Sequence, residues 1–393
     1  MTVPTAETIV IVLLAAAAYP YLGYPVILDL LTRRRQDPPP PPPAPLPSVT
    51  LVISAYDEEE VIVAKIENLK ALLYPRERLR VLIGSDGSGD ATVRLARAAI
   101  GSAGHIEVVD FEHRRGKPAV LHDLITRARS DVIALSDANT LFAPDAIEQM
   151  ARWFADPGVG CVCGRLQLVP TNGTGRSELA YWTFETWLKR RENRLGAVLG
   201  ANGGIYAFRR AAYVPIPRDT ITDDFVLPML IRGEGYRIVF DPSARGTEET
   251  APTIANEFTR RVRIGAGNLQ ALWQTRRLLS LRFGWTALAY WSHKVLRWTA
   301  PALLLSAVLL ALARADGWML AAIGIGGVML VALASAGWAL ERSKRRLPPI
   351  VAAPYAFVAM NAALVIGAVR LLRGTQSTRW SRTPRASTSS SRD

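Results

Sequence analysis

Several acidic side chains stand where a group-transfer site would need them. Asp86 ends the run RVLIGSD (residues 80–86) and opens the turn GSDGSGDAT, whose glycines let backbone come close to a ligand. Asp137 ends VIALSD (residues 132–137), Asn139 follows it in SDANT, and Asp223 and Asp224 are adjacent in ITDDF. Such groups can hold a nucleoside, give hard oxygen ligands to a divalent cation on a diphosphate, and take the proton of an attacking hydroxyl. Those are the three demands of moving a sugar off a nucleoside diphosphate. Each motif also has a plainer reading. Asp137 and Asn139 could cap a helix, Asp223-Asp224 could be the acidic start of the helix FVLPMLI, and RRVR (residues 260–263) could be a solvated or lipid-facing stripe. Their order along one chain favours the chemical reading.

The elements that must position these residues show as alternation. Residues 49–56, 80–86, 106–111 and 132–137 are short β-branched runs, and helical patterns such as residues 59–73 and 91–100 lie between them. Strand and helix in turn give βαβ crossovers and a parallel sheet, with ligands beyond the carboxyl ends of the strands. Those ends carry Tyr56-Asp57-Glu58, Asp86-Gly87-Ser88 and Asp137-Ala138-Asn139. This α/β unit is expected over residues 48–282. Within it, residues 176–196 place Tyr181, Phe184, Trp187 and Leu188 on neighbouring helical turns, which reads either as core packing or as a face toward a bilayer or acceptor.

The flanks are apolar. Residues 8–31 hold one charge, Asp29, and are long enough to cross ~30 Å of hydrocarbon. They lack the basic start of a cleaved signal peptide and read as a retained transmembrane helix. Arg33, Arg34 and Arg35 follow, which puts the next segment in the cytoplasm by the positive-inside rule. The proline-rich residues 36–47 read as a stiff spacer. Residues 283–298, with Trp291, Lys294, Arg297 and Trp298, read as an interfacial amphipathic helix. Three transmembrane segments are expected in residues 299–369 and a basic disordered tail in residues 370–393. Four spans keep residues 33–35, the α/β unit and residues 341–346 inside, and force the arginine-rich tail outside against the same rule. The net charge of +13 over 393 residues raises nucleic acid as a partner, but no recognition motif accompanies it. A 49% apolar content excludes global disorder, Cys161 and Cys163 read as packing residues, and the four histidines have no metal-ligand spacing.

Residues 47–282 resemble the catalytic domain of membrane-integrated family 2 glycosyltransferases, the group of cellulose, hyaluronan and poly-N-acetylglucosamine synthases. The resemblance implies an α/β fold of the GT-A (nucleotide-diphospho-sugar transferase-like) class flanked by transmembrane helices. SAYDEE (residues 54–59) is similar to the first-strand motif, so Ala55 and Tyr56 would line the nucleotide, Tyr56 on the uracil, with Glu58 on the nucleoside. GSDGSGD resembles the DDGS turn and gives Asp86 to the base. RRGKPAVLH (residues 114–122) gives Lys117 to the nucleotide. SDANT resembles the Asp-x-Asp motif, implying Mg²⁺ or Mn²⁺ on Asp137 and Asn139. GANGGIYAFRR resembles the acceptor-side loop, implicating Gly200, Asn202 and Gly203. Thr222-Asp223-Asp224 matches Thr-Glu-Asp, which makes Asp224 the base beside Asp223. RRVRI (residues 260–264) lies where the family has Gln-Arg-x-Arg-Trp, so Arg263 would clamp the diphosphate and Arg260 and Ile264 would lie toward the acceptor.

The departures from the family are specific. Ser85 stands for the first Asp of DDGS. Asn139 replaces a carboxylate and brings no charge. Ile264 replaces the Trp beneath the acceptor sugar and removes a stacking platform. The expected activity is inverting transfer from a UDP-sugar to a polysaccharide or a lipid-linked acceptor by a multi-pass protein of the cell membrane. The alternative is a catalytically weakened nucleotide or sugar sensor of the same fold.

Overall fold

The computed structural model describes residues 5–170, 176–250, 254–314, 317–343 and 345–376. Strands β1 (Val49–Ala55), β2 (Leu79–Asp86), β3 (Ile106–Phe111) and β4 (Val132–Asp137) pair in parallel. They are linked by α3 (Ile62–Lys70), α4 (Thr92–Ile100) and α5 (Lys117–Arg127), following the N-terminal helices α1 (Ala6–Ala18) and α2 (Gly23–Thr32). Then come β5 (Leu141–Phe142), α6 (Ala146–Ala151), β6 (Val159–Val169), α7 (Arg176–Asn193), β7 (Tyr206–Arg209), α8 (Asp223–Gly233) and β8 (Arg237–Glu249). The eight strands form one sheet in the order β3-β2-β1-β4-β7-β6-β8-β5. The chain builds outward from β1 through β2 and β3, then returns to place β4 on the other side of β1. That reversal opens a crevice at the carboxyl ends of β1 and β4.

β1 is buried along its whole length, as expected of a central strand covered on both faces. Its alternation sends Val52 to one core, with Leu82, Leu124, Leu135 and Phe240, and sends Leu51 and Ile53 to the other, with Ile66, Val81 and Val162. Cys161 and Cys163 both fall in the first core and are free thiols.

The apolar flanks differ from the sequence expectation in two places. Residues 8–31 are not one helix: α1 and α2 meet at a 57° bend. Pro20 sits in the break, where its missing N–H and its ring favour a kink. Residues 283–298 are not a separate interfacial helix either. α9 (Ile254–Gln274) leads to α10 (Trp285–Ala289), a π-helical turn (Tyr290–Val295) and α11 (Leu296–Arg314), and the last three form one 30-residue helix. Lys294 and Arg297 of this helix are paired with a carboxylate inside the protein. Lys294 Nζ lies 3.0 Å from Glu185 Oε2 of α7, and Arg297 Nη1 pairs with Glu185 Oε1. His293 Nδ1 and the Tyr24 hydroxyl share Glu192 Oε1 at 2.6 and 2.9 Å. With its charges paired, this stretch has no need to lie along a water-facing interface.

This helix, α12 (Gly317–Arg342) and α13 (Pro349–Leu372) are long and apolar enough to cross a membrane, and the bent pair makes up to four. Leu305, Leu312, Ile325 and Val328 point outward, exposing apolar surface that water disfavours. The proline-rich segment lies along the α/β unit: Asp37 pairs with Arg190 of α7 and with Arg194 just after it, and the Tyr74 hydroxyl donates to Pro47 O at 2.6 Å. Of the expected tail, residues 370–372 are helical and residues 377–393 lie outside the described residues, as does Lys344 of the basic loop.

A close backbone crossing also ties the α/β unit to these helices. α9 crosses α13 at Gly265 and Gly367, and a Cβ at Gly367 would stand 2.5 Å from Val262 O and 2.6 Å from Ala266 N. Backbone there cannot yield, so Gly367→Val should cost ~1–3 kcal/mol through overpacking. The check is a fall in the midpoint of thermal unfolding in detergent, larger than that of Gly324→Val, where the added Cβ meets nothing.

Candidate active site

Three loops close around the crevice. Asp86, at the end of β2, is buried, and its two oxygens accept the backbone N–H groups of Arg115 (2.7 Å) and Gly116 (2.8 Å). The sequence reading gave Asp86 to a nucleobase; here it pins the loop that launches α5. Gly87 is required at this corner: its φ is +66°, and a Cβ would meet Arg114 N at 2.7 Å. The β1 loop is locked to the same turn, since Asp57 Oδ1 accepts from Gly89 N (2.8 Å) and Glu58 N donates to Thr92 Oγ1 (2.7 Å). Glu58 itself is buried, and Ala55 ends β1 in the core. The Arg114 guanidinium lies 3.7 Å from the centre of the Tyr56 ring, a cation–π contact on the face the sequence reading gave to a base.

Lys117 begins α5 and is the hub of the charge cluster. Its Nζ is 2.8 Å from Asp137 Oδ1 and 3.6 Å from Asp223 Oδ2. Burial opposes the Lys117 charge, but Asp137 and Asp223 outweigh it and raise its pKa. Burial likewise opposes charge on Asp137, yet Lys117 holds that carboxyl below the usual range. Asp223 and Asp224 open α8, where the helix dipole favours negative charge. Burial, and then neighbouring Asp223, push Asp224 up to about 6. Gly203 lies against it; a Cβ there would stand 3.1 Å from Asp224 Oδ2. Gly200 has φ +67° and packs on Phe225. Asn202 is braced rather than open, its amide donating to Gly164 O (2.8 Å) and its Oδ1 accepting from Lys189 Nζ (2.9 Å).

α9 brings the basic motif. Arg263 Nη1 reaches Ile221 O at 3.5 Å, and burial followed by Arg260 lowers the pKa of its guanidinium. Arg260 and Arg261 pair with Glu257, at 3.7 and 2.6 Å, and Ile264 lies half-buried on the same helix.

Among the described residues no group of three or more His, Cys, Asp or Glu side chains is arranged to hold a metal ion. Asp137 and Asn139 offer two hard oxygens, and Asn139 Nδ2 donates to Glu248 Oε1 (3.1 Å), leaving its carbonyl oxygen as the donor for a cation. That set fits a cation that arrives with a diphosphate, because Mg²⁺ is commonly held by one or two protein oxygens plus phosphates.

Two features escaped the sequence reading. Lys65 is fully buried behind the Asp137 loop, and burial pushes it down to about 7. Its signal was a lysine on the helix face of Ile62, Ile66 and Leu69. Lys189 braces Asn202 from α7, whose aromatic residues pack inward: Leu188 is buried, and Phe184 and Trp187 stack at 6.3 Å. His122 bonds the Tyr213 hydroxyl at 3.0 Å, away from the cluster.

Comparison with known proteins accords with this geometry. Residues 50–214 match the family described as glycosyl transferase family 2. The chain is similar to the poly-β-1,6-N-acetyl-D-glucosamine synthase of Staphylococcus aureus (strain COL), 29% identical over 233 residues that cover 58% of this chain and 56% of the relative. It is also similar to an N-acetylglucosaminyltransferase of Rhizobium leguminosarum bv. viciae, at 25% identity over 51% of this chain and 50% of the relative. The chain therefore spans little more than half the length of these curated relatives. Among solved structures, a mannosyltransferase from Pyrobaculum calidifontis in complex with GDP-Man and Mn²⁺ superposes with a TM-score of 0.70 at 24% identity, covering 93% of this chain and 99% of that one. With the strand-end carboxylates in the crevice of a mixed sheet, these matches establish that the chain carries a glycosyl transferase family 2 domain on a GT-A-like α/β fold.

Proposed function

We propose that the chain is a membrane-bound, inverting glycosyltransferase that moves a sugar from a UDP-sugar to a glycan or lipid-linked acceptor at the cytoplasmic membrane face. The observation that supports this most is the gathering of Asp137 and Asp223 on Lys117 Nζ, beside Asp224, at the β1/β4 reversal. Tyr56 and Arg114 supply a flat, cationic platform for the base, and Asp86 holds the loop that carries Arg114. A Mg²⁺ or Mn²⁺ ion, held by Asp137 and Asn139 with the diphosphate, would neutralise charge on the leaving group. Arg263, largely desolvated, stabilises the departing UDP. Asp224 takes the proton of the acceptor hydroxyl as that hydroxyl attacks the anomeric carbon from the face opposite UDP. Gly203 leaves the space beside Asp224 in which the hydroxyl can sit. Arg33–Arg35 and the basic loop after α12 support a cytoplasmic side for the α/β unit.

The base must be ionised to act, and its pKa is raised, so the protonated form accumulates as pH falls through about 6. The kcat/KM of transfer should therefore fall on the acid side with a midpoint near that value, measured as a pH–rate profile. Chelation with EDTA should abolish transfer, and added Mn²⁺ or Mg²⁺ should restore it; transfer that persists in EDTA would remove Asp137 and Asn139 from their role.

The S. aureus relative's name directs the first trial to UDP-N-acetylglucosamine, followed by UDP-glucose, UDP-galactose and GDP-mannose. Product length separates the acceptors. A ladder means polymerisation, and a single organic-soluble product means a lipid acceptor, the outcome that Ile264 favours by offering no indole platform. UDP binding without transfer or hydrolysis would instead mark a sensor, the reading that neutral Asn139 favours.

A further inference from the structure

The transfer chemistry leaves the buried cation Lys65 unused. Lys65 of α3 is fully buried, its Nζ donates to Ser136 Oγ (2.7 Å) and to the Thr140 carbonyl, and it lies 4.7 Å from the centre of the Phe142 ring. Asn68, three residues on and so on the same helix face, reaches the same loop. Its Nδ2 donates to Phe142 O and its Oδ1 accepts from Phe142 N, both at 2.8 Å. Two side chains of one helix thus grip both ends of residues 136–142, the segment between β4 and β5 that carries Asp137 and Asn139. Burying an ammonium costs several kcal/mol, roughly, unless its donors are well used. Here they are spent on this loop.

We propose that Lys65, with Asn68, is a positioning residue that holds Asp137 and Asn139 at the separation at which they receive a divalent cation together with a diphosphate. The inference rests on the reading of those two residues as cation ligands. Because Asn139 brings no charge, affinity depends on both oxygens being held in place more than it would with two carboxylates. Partners behind metal ligands typically matter ~10–100-fold in affinity.

Lys65→Met keeps the length and apolar stem of the side chain and removes its donors. In the purified full-length protein without metal, amide exchange at residues 136–142 should quicken ~10-fold or more in this variant. The Mn²⁺ concentration for half-maximal transfer should rise ~10-fold, and transfer should recover as Mn²⁺ is raised. A general packing defect would not be rescued by cation. Ser136→Ala removes one acceptor of the clamp with little change in volume; it should shift both readings the same way by a smaller factor, and decides the matter if Lys65→Met does not fold. Unchanged exchange and an unchanged Mn²⁺ requirement, against a cation-dependent wild type, would overturn the clamp alone. A wild type whose UDP binding ignores both Mn²⁺ and Mg²⁺ would overturn the cation-site reading and this proposal with it.

Discussion

Asp224→Asn should lower sugar transfer by ~10²–10⁴, the usual worth of a positioned base, and leave nucleotide binding nearly intact. The substitution is close to isosteric. Asn retains the hydrogen-bonding shape at the start of α8, and the backbone carbonyl of residue 224 can still accept Ala201 N at 2.8 Å. What disappears is a carboxylate able to take a proton. Burial and Asp223 both resist charge at this position, so the amide also relieves an electrostatic cost. The variant should be at least as stable as the wild type at pH 8, where the wild-type carboxyl is ionised, and the difference should shrink as pH drops below about 6 and the carboxyl protonates. Loss of turnover in a protein of undiminished stability separates a chemical role from a structural one. Titration calorimetry with UDP and a labelled-sugar assay on the same preparation make the comparison.

The second large effect is expected at Asp137. Asp137→Ala removes the one charged oxygen that the proposed cation site draws from the protein, and it frees Lys117 Nζ from its 2.8 Å partner. Lys117 then turns wholly to Asp223, 3.6 Å away, and so draws on the carboxylate beside the base. Transfer should fall ~10²–10³, in line with removing a group that stabilises transition-state charge, and the Mn²⁺ dependence of UDP binding should vanish. Here, unlike at Asp224, binding and turnover fail together. Calorimetry of UDP with and without Mn²⁺ distinguishes the two variants.

Much of the α/β unit was legible because its strands are short β-branched runs that end in polar residues. VTLVISA and VIALSD read as buried parallel strands, and their ends mark the crevice. The sheet beyond β4 was not legible. β6, β7 and β8 pair in a mixed pattern across long sequence separations, and nothing local in GCVCG or RIVFD specifies a neighbour. The helix break at Pro20 could have been read from the proline itself, but an apolar run of membrane length masks its own kinks. The fusion of residues 285–314 into one helix turned on Glu185 and Glu192, about a hundred residues earlier, which pair with Lys294, Arg297 and His293. Charges that look interfacial in sequence lose that character once a distant partner is supplied.

The site shows the same division. Asp137, Asp223 and Lys117 stand out as motif residues and meet in the structure. The residues that hold them in place do not stand out. Lys65 and Asn68 sit in a helix pattern where a lysine suggests solvent, and the backbone amides that occupy Asp86 have no side-chain signature. Spacing in sequence reports which groups can do chemistry; the groups that fix their positions emerge only from packing.

Sugar transfer is the activity expected of the cluster around Lys117. It is tested most directly by incubating the purified protein, in membranes that contain native acceptors, with labelled UDP-N-acetylglucosamine, UDP-glucose, UDP-galactose or GDP-mannose and Mn²⁺. Asp224→Asn is run in parallel. Label should pass from a nucleotide sugar into a glycan or lipid-linked product in the wild type, with loss of that product in Asp224→Asn at equal UDP binding. Equal transfer by both proteins, or wild-type binding of UDP with neither transfer nor hydrolysis of any donor, would contradict it.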